Sequence, residues 1–113
     1  MKTVVAGSRR GIEPDIVIVA LDSCPWVITH VNIPAMIGVA RAAEVWALNN
    51  RIRVSRYQPY VKASKEKAWK ARNRNMVASS RAVLLIWDGH NRVMHDLKRQ
   101  ALAQGRRLHE VVL

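Results

Sequence analysis

A single cysteine, Cys24, rules out an internal disulfide and fits a reducing compartment, so packing alone must hold the fold. Phenylalanine is absent, leaving four tryptophans and two tyrosines as the only aromatic side chains. No apolar run approaches the roughly 18 residues of a membrane span. The stretch Ile16–Leu21 is too short and too far along to read as a signal peptide, so the expectation is a cytoplasmic protein with no membrane partner. Glycine and proline number only 5 and 4, and no linker, repeat or low-complexity segment interrupts the chain. One domain over residues 1–113 follows, long enough to bury a core without metal or disulfide.

Acidic residues are scarce as well, at 8 against 19 lysines and arginines, for a net charge of +11. Over residues 1–48, Lys2, Arg9, Arg10 and Arg41 cancel Glu13, Asp15, Asp22 and Glu44. The whole excess therefore lies from Asn49 onward. A basic half beside a neutral half suits contact with a polyanion, whether nucleic acid such as DNA or RNA, an anionic membrane or an acidic protein, and the plainer alternative is generic solubility charge.

What the chain does contain is a regular alternation of β-prone and helical segments. Lys2–Ala6 is a first strand ending in Gly7-Ser8-Arg9-Arg10. Glu13-Pro14-Asp15 opens a helix, with proline allowed in the first turn and acids suited to the helix N-terminus. Trp26–Val31 reads as a second strand, Asn32–Ile37 as loop, Gly38–Asn50 as helix and Arg51–Arg56 as a third strand. After a loop over Tyr57–Ser64, a helix capped by Ser64 runs from Lys65 to about Ser80. Ala82–Trp87 is the most apolar segment and reads as a central strand covered on both faces. A last helix over Val93–Gln104 stops at Gly105, and Leu108–Leu113 supplies a fifth strand. The fold class is α/β, a single Rossmann-like three-layer domain with a parallel sheet of about five strands.

In such sheets ligands bind outside the carboxyl ends of the strands, near the point where the connection order reverses. Gly7, Ser8 and Arg9 would stand there, offering close backbone approach, a hydroxyl and a planar donor fork suited to phosphate. On the helix after Lys65, Arg72 and Asn73 point towards the sheet, while Lys67, Lys70, Arg74 and Arg81 form an opposite basic ridge. Asp88-Gly89 marks a turn after the central strand, with His90 and Arg92 behind it. Trp87, at a strand end, is the tryptophan placed to touch a ligand.

With these segments in place, the chain resembles the YspA-like family of the SLOG superfamily. Three pieces carry the resemblance: Gly7-Ser8-Arg9; Arg72-Asn73-Arg74-Asn75-Met76 leading into Ala82–Ile86; and Trp87-Asp88-Gly89 with Arg92 behind. It implies a Rossmann-like domain that binds nucleotides or nucleotide-derived ligands. Family members usually carry a Gly-Gly-Ala-x-Gly-x-Asp loop after the second strand. This chain has Pro34-Ala35-Met36-Ile37-Gly38-Val39-Ala40, where only Gly38 survives. Val93-Met94 also replaces the family's Gly-Thr after the arginine of the fourth-strand loop. The rim arginines are kept while two glycine-dependent anion contacts are altered.

The related phosphoribohydrolases use a Pro-Gly-Gly-x-Gly-Thr-x-x-Glu motif that has no counterpart here. No acid–base pair or activated nucleophile can be assembled, so no catalytic residue is assigned. His90 and His95 near Asp96 lack a recognised ligand spacing, so no metal is assigned, and no cofactor either. The leading expectation is a non-catalytic domain binding a nucleotide-like small molecule through Gly7, Ser8, Arg9, Gly38, Arg72, Asn73, Asp88, Gly89 and Arg92. The first alternative is a nucleic-acid-binding protein using Lys67, Lys70, Arg74 and Arg81, helped by Arg51, Arg53 and Lys62. The second is an interaction protein that has lost the ancestral ligand. A homo-oligomer and a phage origin are compatible with the sequence and undetermined by it.

Overall fold

The computed structural model describes residues 1–59 and 64–113; Tyr60–Ala63 of the expected loop, and Lys62 with them, lie outside the described residues. Five strands alternate with four helices in the order β1 (Lys2–Gly7), α1 (Pro14–Asp22), β2 (His30–Pro34), α2 (Val39–Asn49), β3 (Arg53–Tyr57), α3 (Lys65–Ala78), β4 (Ala82–Trp87), α4 (Arg92–Ala103) and β5 (Arg107–Val112). All strand pairs are parallel, in the spatial order β3-β2-β1-β4-β5. The connection order reverses between β1 and β4, which makes the carboxyl ends of those two strands the expected ligand edge.

Strand alternation divides the core into two layers. Val5, Leu84 and Ile86 pack with Val17, Leu21, Val39 and Ala43 of α1 and α2. Val4, Ala6, Val83, Leu85 and Trp87 pack with Met76, Val77, Met94 and Leu97 of α3 and α4. Every residue of β4 is buried, as the unbroken apolar run requires of a strand covered on both faces. Ser64 accepts the Lys67 N–H at 3.4 Å and Asn91 accepts the Met94 N–H at 3.1 Å, so α3 and α4 start on side-chain caps. Gly105, at φ +66°, follows α4 in the left-handed region as its sequence position predicts.

The second strand departs from the sequence reading. It spans His30–Pro34 instead of Trp26–Val31, so Asn32–Pro34 is strand and Trp26–Ile28 is not. Proline in a strand normally removes a ladder bond. Here the Ala35 N–H points to β3 and donates to the Tyr57 carbonyl, so Pro34 faces β1 with its missing donor. The β1–β2 pairing ends at Val4–Asn32, before Pro34 is reached, and nothing is lost. Trp26 instead folds beneath the layer, donating from Nε1 to Thr3 Oγ1 at 2.9 Å.

Helix α1 is apolar almost all round. Val17, Ala20 and Leu21 face the core, yet Ile16, Ile18 and Val19 are exposed. Ile18 joins Ile12, Val45 and Trp46 in a groove of about 640 Å³ between α1 and α2. The α1–α2 face is thus the neutral, greasy side of the molecule and the α3–α4 face the basic side.

Candidate ligand-binding site

At the carboxyl edge, β1 and β4 stay paired to the last residue. Gly7 is in register with Ile86, and the Ser8 N–H donates to the Ile86 carbonyl at 3.1 Å. A Cβ on Gly7 would lie 1.7 Å from that carbonyl oxygen, so glycine is required there by strand packing. Gly38 is constrained in the same way: a Cβ would sit 2.3 Å from the Ser8 oxygen, and φ is +81°. The Val39 N–H, first donor of α2, is spent on the Ser8 carbonyl at 3.0 Å. The Pro34–Ala40 stretch is therefore held against the loop after β1 at Gly38 and Val39. Close backbone packing is by itself enough to require glycine at positions 7 and 38.

Four further residues of the expected site are engaged inside the protein. Asn73 Nδ2 donates to the Val93 carbonyl at 2.9 Å and to Asp96 Oδ2 at 3.1 Å, bracing α3 against α4. Asp88 Oδ1 accepts the His90 N–H at 2.8 Å, forming a turn completed by Gly89 at φ +88°. Arg92 is exposed and paired with Glu66, which also holds Lys70 and whose carboxyl is pulled below its usual range by those two cations. Trp87 is almost fully buried and donates to Glu110 Oε2 at 2.6 Å, so it faces the core, not a ligand. The imidazole of His95 packs edge-on against its ring at 4.7 Å.

Three residues keep hydrogen-bonding capacity unspent. Ser8 and Arg72 are both buried, and Ser8 Oγ and Arg72 Nε have no partner among the described residues. The alternation that sends Val4 and Ala6 into the α3–α4 layer carries Ser8 to that same side. Arg72 is buried on α3, one turn from Met76 of the same layer. Among the described residues no carboxylate pairs with its guanidinium, whose one hydrogen bond is a 3.5 Å approach from Nη2 to Asn73 Oδ1. Burial alone pulls its pKa down. Arg9 stands exposed beside Ser8 with no acid against it among the described residues. The third buried unpartnered atom, Asn32 Oδ1, lies lower on β2, where Asn32 Nδ2 donates to Ser80 Oγ at 2.7 Å.

Three residues of the expected basic ridge, Lys67, Lys70 and Arg74, share one face of α3. Lys67 and Arg74 are exposed on α3, Lys70 is tied to Glu66 and lies 5.8 Å from the Trp69 ring, and Arg81 lies beyond the helix, just before β4. Cys24 packs against the α1–α2 layer, where burial pushes its thiol up. Among the described residues no three His, Cys, Asp or Glu side chains gather as a metal site would require. Compared with family models, curated proteins and solved structures, the chain gives no match.

Proposed function

We propose that the protein is a non-catalytic binding domain for a nucleotide or nucleotide-derived phosphorylated ligand, held at the carboxyl edge by Ser8, Arg9 and Arg72. The observation that carries this reading is the buried guanidinium of Arg72 with no carboxylate to neutralise it. Burying an unpaired charge costs several kcal/mol in general, roughly, and such groups are normally paired. An anionic ligand is the missing partner. The unpartnered Ser8 hydroxyl and the free fork of Arg9 give a phosphate two further contacts at the reversal point of the sheet. The resemblance to YspA-like SLOG domains supports the same ligand class.

No step of chemistry is assigned to this edge. Asp88 is occupied by the His90 N–H, and no histidine hydrogen-bonds Ser8. Calorimetric titration with ATP, ADP, AMP and ADP-ribose tests the reading. At least one should give saturable heat that Arg72→Met abolishes while the circular dichroism spectrum is kept. No heat from any of the four, or binding unchanged by Arg72→Met, overturns it.

A further inference from the structure

A basic residue stands at or just before the first residue of every strand of the sheet. β1 starts at Lys2, β2 at His30 and β3 at Arg53, while Arg81 precedes β4 and Arg106-Arg107 leads into β5. The register turns this into a line. Lys2 pairs with His30 and His30 with Arg53. On the other side Thr3 pairs with Ala82 and Ala82 with Arg107, so one step back along each strand Lys2, Arg81 and Arg106 share a row. The backbone closes the row, since the Arg81 N–H donates to the Lys2 carbonyl at 2.8 Å.

Arg53, His30, Lys2, Arg81 and Arg106 therefore cross the amino edge of all five strands on one face, that of α3 and α4. Side-chain contacts agree with this. His30 Nε2 meets Ser55 Oγ at 2.8 Å, and Arg106 reaches the Val77 and Ala78 carbonyls at the end of α3, each at 3.3 Å. At 4.7–4.9 Å between strands the row is about 19 Å long. None of its members forms a salt bridge among the described residues. Lys2, Arg81 and Arg106 stand on neighbouring strands, where like charges set opposite each other are destabilising, so the row favours an anion lying along it. Burial first, and then the charges of Lys2 and Arg53, hold the His30 imidazole below its usual pKa, so at neutral pH it enters the row as an uncharged hydrogen-bonding group and the cations are Lys2, Arg53, Arg81 and Arg106.

We propose that this row is a track for the phosphodiester backbone of double-stranded nucleic acid, on the opposite edge of the sheet from the Ser8–Arg72 site. A small anion would engage one or two of the five positions. One strand of a duplex presents a regular series of phosphates, so several positions of a row about 19 Å long can be engaged at once. The row holds no Trp, Tyr or Phe, the broad platforms on which single-strand binding stacks its bases. Contact is thus to phosphates alone and independent of sequence. Of the ridge expected from sequence, only Arg81 belongs to it.

The test is fluorescence anisotropy with a labelled 20-base-pair DNA duplex, the matching single strand and a polyglutamate of equal charge, each over a salt series. The duplex should bind best, with affinity falling steeply as salt rises. The Lys2→Gln/Arg53→Gln/Arg81→Gln variant should lose at least tenfold in affinity, and its log–log salt slope should shrink by about 2 to 3, near 0.9 per lost phosphate contact. Its melting temperature should equal or exceed the parent's, because repulsion has been removed. The Lys67→Gln/Arg74→Gln variant, on exposed positions of α3, should bind within about twofold of the parent. Four results overturn the proposal: no duplex binding at 50 mM salt, tighter binding of the single strand, equal binding of polyglutamate, or a loss confined to the Lys67/Arg74 variant.

Discussion

Gly38 lies against the backbone of Ser8 so closely that a Cβ at position 38 would sit 2.3 Å from the Ser8 carbonyl oxygen. This contact seats the N-terminus of α2 on the loop after β1. Its φ of 81° and ψ of −131° fall in a region essentially reserved for glycine. Such a conformation costs about 1–3 kcal/mol for other residues. Gly38→Ala should therefore lose about 3 kcal/mol or more, once the clash is added to that strain. Gly105→Ala, also at positive φ but with open space around the added atom, should lose only about 1 kcal/mol. Urea unfolding of both variants checks the ranking, and equal losses would refute it.

Arg72 offers the opposite sign. Because its buried guanidinium lacks an acid, Arg72→Met removes an uncompensated charge and fills similar space. The melting temperature of the ligand-free protein should stay level or rise. A fall of more than a few degrees would mean that the guanidinium is satisfied inside the fold and would weaken its reading as a ligand contact.

Asn73 joins α3 to α4 through the Val93 carbonyl and the buried Asp96 carboxylate. Asn73→Ala leaves both acceptors short of a donor, with Arg99 as the remaining partner of Asp96. The expected cost is about 1–3 kcal/mol. A lower urea midpoint with an unchanged slope is the predicted result.

His30 sets a pH dependence. Its folded-state pKa lies below the ordinary 6.5, through burial first and then through Lys2 and Arg53. The unfolded chain then binds more protons in the window below pH 6.5, so stability falls as pH drops through that window and levels off beneath the depressed value. His30→Gln should flatten this part of the stability curve. Thermal melts from pH 7.5 to 5 on parent and variant measure the difference, and parallel curves would contradict it.

Much of the architecture is legible in the chain because it is local. The unbroken apolar run Ala82–Trp87, the Ser64 cap and the Gly105 stop each act within a few residues. β2 was not legible, because what admits Pro34 is the early end of pairing with β1 and a bond from Ala35 to Tyr57, both long-range facts. The glycines show the same limit for the site. Gly7 and Gly38 sit where a ligand-binding loop would want them, but what presses on them is the Ile86 carbonyl and the Ser8–Arg9 backbone. Burial of Arg72 followed from helical spacing; its lack of an acid partner could be seen only with the fold in hand. The cationic row is invisible in sequence, since its members come from five separate segments and meet only through register.

The central place of β1 also governs the order in which the molecule can assemble. Of the five strands β1 is synthesised before the others and can pair with β2 early, but its other edge must wait for β4, where Val5 meets Leu84 from far along the chain. Closing so long a loop is slow, and until it closes β1 presents bare backbone donors and acceptors. During that interval the half-built sheet is exposed to pairing with other chains, so arrival of the Ala82–Trp87 segment completes the fold and at the same time removes its main opportunity to aggregate.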